Sequence, residues 1–193
     1  MYKKVQYRVL FILIAMLSAT SVVAQEEFID PPSRDLVNIP FEQLTGGIII
    51  LHAKFADFPD TLNFILDTGS SGISLDSTTI KYFGLVPTPS ERSIRGIAGI
   101  RKVSFLYNQS LHFKGLSVDS LNFHINDYSI LTAVYGEKID GIIGFAVLSR
   151  YIVKLDYDKM LVTFSTNGTI RYPRGGYLLR PSFNQLDLAL AHL

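Results

Sequence analysis

The stretch from Phe64 to Leu75, F-I-L-D-T-G-S-S-G-I-S-L, constrains the fold of this chain more than any other. An apolar strand pattern delivers one carboxylate, Asp67, into a turn of small residues, and the apolar pattern resumes at Ile73. An ionised acid at the end of an apolar strand is costly unless something bonds it or shares its proton. Thr68 and Ser70 offer hydroxyls, and Gly69 lets the backbone turn tightly against the carboxylate. Such surroundings set the proton affinity of a carboxyl group. One acid of this kind does little alone. Two of them roughly 3 Å apart cannot both ionise and so hold one proton between them. The charged member can then take a proton from water while the protonated member polarises a carbonyl. The titration belongs to the pair. This chemistry requires no metal, thiol or histidine.

The flanking sequence supplies short strands. Gly47 to Phe55 is apolar and β-branched, Asp57 to Asp60 reads as a turn, and Thr61 to Leu66 alternates into a second strand that ends at Asp67. Ser77 to Phe83 reads as a short helix, with Ser77 as its cap and Gly84 as its stop. Ile94 to Val103 reads as a hairpin around Gly96, Ile97, Ala98 and Gly99. Leu111 to Phe113, Leu116 to Val118 and Leu121 to Ile125 are further strands. Ile139 to Gly144 is a strand-to-turn segment and Phe145 to Arg150 a helical turn. Tyr151 to Asp156 and Met160 to Ser165 form a last hairpin around Tyr157-Asp158-Lys159. Many short strands with one or two small helices indicate a mainly β, closed barrel-like lobe.

The first 24 residues stand apart. Lys3, Lys4 and Arg8 precede the apolar run Val9 to Leu17, and Ser18 to Ala24 is rich in small residues, with Val22 and Ala24 at cleavage-site spacing. The run is short for a membrane span of roughly 20 residues, so a signal peptide over residues 1–24 is expected, leaving no span after cleavage. Of 18 basic and 17 acidic residues, 15 basic and all 17 acidic lie beyond it, a mature charge of −2. That balance gives no basic stripe for nucleic acid. The chain has no cysteine, which excludes disulfides, thiol nucleophiles and thiolate metal sites. An exported domain without disulfides fits a bacterial envelope, periplasmic or extracellular. Residues 25–35, with Pro31-Pro32, read as a linker or arm, residues 36–166 as the lobe and residues 167–193 as a C-terminal tail that restarts a strand-like alternation.

Asp67-Thr68-Gly69-Ser70 resembles the D-T-G-[SA] signature of retropepsin-like and pepsin-like aspartic proteases, and Ile142-Ile143-Gly144 is similar to their later apolar-apolar-Gly element. The order of hairpin, D-T-G, Gly-rich hairpin, strands, I-I-G, short helix and final strand also resembles a retropepsin lobe. The chain looks closest to bacterial exported aspartyl proteases with an I-D-G-I-I-G...D-Y-D ending. The resemblance covers roughly Leu36 to Ser165. It implies an aspartic endopeptidase without cofactor or metal, acting on a peptide or protein laid strand-like in a groove. By the same resemblance Asp67 is the catalytic acid and Thr68 locks two facing loops through its hydroxyl. Gly69 permits close approach, and the Ser70 hydroxyl bonds the outer carboxylate oxygen. Gly96, Ile97, Ala98 and Gly99 form a flap over substrate. Ile142, Ile143 and Gly144 pack beneath the catalytic loop.

The sequence holds a single D-T-G, so the second carboxylate must come from a homodimer partner or a second lobe, which residues 167–193 could begin. The alternative is a non-catalytic lobe that binds peptides or proteins in the same groove. Asp140, Asp156 and Asp158 read as turn or surface residues. His52, His112, His124 and His192 are scattered, without the H-E-x-x-H spacing of a zinc hydrolase. Ser70 and Ser71 lack the strand-turn-helix setting of a serine nucleophile. Asn108-Gln109-Ser110 and Asn167-Gly168-Thr169 match a glycosylation pattern by chance.

Overall fold

The alternation of Ile49–Phe55 and Leu62–Leu66 builds the antiparallel pair β2 and β3 at the centre of the sheet. The computed structural model describes residues 30–193 apart from 97–98, 173, 178–180, 184–188 and 192–193. The expected signal peptide, residues 25–29 of the arm and the tip residues Ile97 and Ala98 therefore lie outside the described residues. The remaining elements are β1 (Asp35–Gln43), a 3₁₀ turn (Thr45–Gly47), β4 (Ile73–Asp76), α1 (Ser77–Tyr82), β5 (Thr88–Gly96), β6 (Gly99–Phe113) and β7 (Leu116–Asn126). They continue as α2 (Ser129–Tyr135), β8 (Gly141–Ile143), α3 (Phe145–Leu148), β9 (Ile152–Asp156) and β10 (Leu161–Ser165), with β11 (Pro181–Phe183) paired to β12 (Ala189–Ala191).

Strands β6, β7, β4, β8, β3 and β2 follow one another through the sheet, and a further pairing of β6 with β2 closes them into a barrel. Lys54 opposite His112 and Phe55 opposite Leu111 make that closure. Closure is possible because β6 is long and bends. Asn108 adopts a left-handed φ of 53°, and the register with β7 shifts between Leu106 and Gln109. This is the mainly β, barrel-like architecture expected of a retropepsin-like lobe.

The barrel interior is apolar. Leu51, Phe55, Phe64, Ile73, Leu75, Leu111, Phe123 and Ile143 are fully buried together. Phe55 meets Phe123 edge-on at 5.0 Å and Phe58 stacks on Phe83 at 4.0 Å, which seats the end of α1 over one mouth. The opposite side of the same strands carries a second cluster of Ile50, Ile65, Tyr128 and Ile139, covered by Leu131 and Tyr135 of α2.

Three elements differ from the sequence reading. Strand β1 was hidden by Pro40, which a central strand does not accommodate. It sits where β1 leaves β10 and joins β2: Pro40 pairs with Leu161, and Phe41 already pairs with Leu51. Helix α2 escaped because it has no side-chain cap and spans only Ser129–Tyr135; Gly136, left-handed at φ 69°, ends it. Helix α1 is capped by Asp76 rather than Ser77. The Asp76 carboxylate accepts from the Thr78 and Thr79 N–H groups and the Thr78 hydroxyl, and its other oxygen accepts from the Tyr128 N–H at 2.9 Å. Asp76 is buried, so its charge is held by these donors. Asp76→Ala removes the cap and strands the Tyr128 N–H. It is expected to cost about 2–4 kcal/mol, read as a lower urea midpoint with unchanged m.

Residues 31–34 run beside the barrel. Pro32 bridges to Thr169, the Ser33 N–H donates to the Thr169 carbonyl, and Arg34 and Thr166 exchange bonds.

Candidate active site

Strand β8 threads between β3 and β4. It runs parallel to β3, with Ile65 opposite Ile142 and Leu66 opposite Ile143. It runs antiparallel to β4, with Ile73 opposite Ile143 and Ser74 opposite Ile142. The segment 67–72 must therefore arch over the end of β8. Asp67 extends the parallel ladder by one bond, its N–H donating to the Ile143 carbonyl at 2.9 Å. This puts the expected catalytic acid at the last position before the arch.

Glycine makes the arch possible. The Gly69 N–H donates to Asp67 Oδ1 at 2.8 Å, and a methyl on Gly69 would stand 3.2 Å from that oxygen. Beneath the arch, a Cβ on Gly144 would lie 2.2 Å from the Ser70 carbonyl and 2.6 Å from that of Gly72. The Phe145 N–H donates to the Ser70 carbonyl at 2.8 Å. Ile142-Ile143-Gly144 thus lies directly under the Asp67 loop. Ser70 meets Asp67 through its backbone N–H, 3.3 Å from the Asp67 carbonyl. The expected bond from its hydroxyl to the carboxylate is not found among the described residues. Thr68 and Gly69 are exposed, while Asp67 and Ser70 are half-buried.

The carboxylate's face of the sheet follows from the two-residue period of a strand. Leu62, Phe64 and Leu66 pack with the barrel interior; Ile65 belongs to the outer cluster. Asp67 shares the side of Ile65, and Ile142 packs there too. Electrostatics agree. Burial pushes the Tyr128 hydroxyl above its usual range, and the negative charges of Asp76 and Asp67 push in the same direction, against bonds from Ser74 and Asn126. The acid therefore looks onto a surface walled by Ile65, Ile142, Tyr128 and α2. Ser74 Oγ meets Tyr128 Oη at 2.6 Å and accepts from the Ile142 N–H at 3.1 Å, which ties this wall to β4 and β8.

Asp140 corrects the sequence reading as a turn or surface residue: it is buried. Its carboxylate accepts from Thr79 Oγ1 at 2.6 Å and the Asn63 N–H at 3.0 Å and pairs with Lys138 at 2.6 Å. Its bonds to Asn63 and Thr79 clamp β3 to α1, and Lys138 reaches it from the surface. Asp156 keeps a surface role; bonds from Lys159 hold its carboxyl below the usual range.

The hairpin of β5 and β6 carries its ladder outward through Ser93–Lys102, Ile94–Arg101 and Arg95–Ile100 to Gly96–Gly99. It is longer than the expected Ile94 to Val103 because the pairing reaches back to Thr88 and Phe105. In the sequence His124 is one of several scattered histidines. In space it stands on β7 between the strand that leaves the Asp67 loop and the strand that builds the hairpin, opposite Ser74 on one side and Phe105 on the other. Only the long-range pairing reveals this; no local motif marks it. Among the described residues no group of His, Asp or Glu side chains is arranged to hold a metal ion, and no helix is long and apolar enough to cross a membrane.

Residues 52–147 match the family described as aspartyl protease. Among solved structures, the chain is similar to a retropepsin-like aspartic protease from Rickettsia conorii, at 18% identity and a TM-score of 0.48 over 69% of this chain and 92% of that one. It is also similar to EIAV protease in an inhibitor complex, at 16% identity and 0.42 over 54% and 88%. The retroviral protease-like domain of Ddi1 from Leishmania major matches at 17% identity and 0.40 over 61% and 93%. No curated protein is a significant match.

Proposed function

We propose that this chain, whose residues 52–147 match the aspartyl protease family, is one lobe of an exported aspartic endopeptidase. The observation that carries this reading is the Asp67 carboxylate, held by the Gly69 N–H at the lip of an apolar wall with Thr68 and Gly69 exposed beside it. Asp67 with a second carboxylate roughly 3 Å away shares one proton. The pair activates a water against a peptide carbonyl, and the protonated oxygen polarises that carbonyl. The substrate is an extended peptide lying between the hairpin β5–β6 and the Asp67 face.

A second copy is the simplest source of the other carboxylate. Whatever supplies it must approach Thr68 and Gly69 and so cover Phe145, which follows Gly144, bonds the loop and is 63% exposed. A charge at Phe145 therefore disrupts the seam. Phe145→Asp is expected to weaken self-association by about 2 kcal/mol or more, roughly thirtyfold in dissociation constant, in sedimentation equilibrium.

The test of the whole reading is peptide hydrolysis by the chain lacking residues 1–24, followed against protein concentration. A site shared by two copies gives a rate per chain that rises with concentration and then saturates. Tight peptide binding without hydrolysis at any concentration would instead identify a recognition lobe and defeat the endopeptidase.

A further inference from the structure

Gly72 closes the Asp67 loop, and the atoms that a side chain there would meet first belong to His124. A methyl built on Gly72 would stand 3.2 Å from Nδ1 and 3.3 Å from Cε1 of that imidazole, and among the described residues, its chain neighbours aside, no other atom lies within 4 Å of it. Gly72 is not among the residues with positive φ, so its backbone would accept a side chain. The ring itself fills the space. Its edge meets the Phe105 ring at 6.4 Å and an interplanar angle of 68°, and it bonds the backbone of Ile73. One half-buried side chain thus touches the return arm of the loop at Gly72 and Ile73 and the root of the hairpin at Phe105.

The loop is gripped from two sides. Gly144 fits beneath Ser70 and Gly72, and His124 presses on Gly72 from the neighbouring strand. We infer that His124 is a positioning residue of the active site: its neutral imidazole wedges the Asp67 loop against the root of the β5–β6 hairpin, and its protonation loosens that wedge. The inference rests on the endopeptidase reading for its consequence in catalysis, while the wedge itself is a matter of packing.

The ionisable groups on the surrounding elements are Asp67 on the loop, Asp76 at the end of β4, Asp119 on β7, and Arg101, Lys102, Tyr107 and His112 on β6; Lys102 pairs with Glu91 and His112 bonds Ser117. Asp76 is occupied with α1 and the Tyr128 N–H. Two influences set the ring's proton affinity: burial lowers it below the ordinary 6.5, and the Ile73 backbone bond opposes that in part. At neutral pH the ring is therefore uncharged. The unfolded chain binds the proton more readily, so stability falls as pH drops through 6.5 towards the lower folded value. His124→Gln removes this dependence in that window.

Three measurements test the wedge. In an ¹⁵N-labelled chain titrated from neutral to acid, the Gly69 amide, which donates to Asp67, should show an inflection at the titration point of His124. His124→Gln should abolish that inflection. Gly72→Ala should lower Tm in the parent chain and leave it unchanged in a His124→Ala background, because the clash is gone. In hydrolysis, His124→Gln should lower kcat about tenfold with little change in KM and shift the acid limb of the pH profile. A Gly69 amide that titrates identically in His124→Gln, or a Gly72→Ala penalty that persists without the ring, overturns the inference. Either result leaves the protease reading untouched, since that reading is decided by peptide hydrolysis by the parent chain and its loss in Asp67→Asn.

Discussion

Asp67→Asn is expected to fold like the parent chain and to hydrolyse peptide at least about 10³-fold more slowly, the range lost when a positioned acid–base group is removed. The side-chain oxygen of asparagine still accepts the Gly69 N–H, the bond that holds the carboxylate at 2.8 Å, so the arch over β8 persists. What disappears is the capacity to exchange a proton. An amide cannot share a proton with a facing carboxylate or take one from water, so neither half of the pair works. The variant should still self-associate, because Thr68, Gly69 and Phe145 are unchanged. It should also let the Tyr128 hydroxyl titrate at lower pH, since one of the negative charges raising it is gone. Hydrolysis assays, a thermal melt and a titration followed by tyrosinate absorbance read these in turn. Full retention of hydrolysis would remove Asp67 from the chemistry. A collapsed melt would show that its charge is structural.

The placement of Asp67 at the end of an apolar strand was legible in sequence because it is local. The strand, the acid, the turn and the resumed strand are contiguous, and Ile142-Ile143-Gly144 carries its own pattern. What escaped was set by contacts distant along the chain. Asp140 reads as a turn acid beside Lys138, yet folding buries it against Asn63 and Thr79. Asp76 outcompetes Ser77 as a cap because its carboxylate also satisfies Tyr128, a partner on another element. Strand β1 carries Pro40, tolerated where it exchanges one neighbour for another. His124 gained its place only when β7 paired with β4 and β6 together. In each case a residue's role was decided by its partner across the sheet, and a period of two residues along one strand is blind to that partner.

Gly144→Ala is expected to be the most destabilising single-methyl change in the loop region. The backbone of Gly144 is extended, at φ −124° and ψ −151°, so alanine meets no conformational penalty there. The obstacle is space. The new Cβ would lie 2.2 Å from the Ser70 carbonyl oxygen, 2.6 Å from that of Gly72 and 2.8 Å from Ser70 Cβ. Two of these atoms are backbone and cannot rotate away. Relief requires the arch to lift off β8, which breaks the Phe145 N–H bond to Ser70 and strains the Asp67 bond to Ile143. Overpacking of this kind costs about 1–3 kcal/mol, and two threatened backbone bonds add about 1 kcal/mol each. A loss of about 3–5 kcal/mol is therefore expected, and hydrolysis should fall even where the fold survives, because Asp67 moves with the arch. Gly84→Ala is the comparison. Gly84 has a left-handed φ of 65° and nothing within 4 Å of a Cβ, so its penalty is conformational only, about 1 kcal/mol. If chemical denaturation ranks Gly84→Ala as the more harmful of the two, the tight seating of the Asp67 loop on β8 is wrong, and with it the support that holds the acid in place.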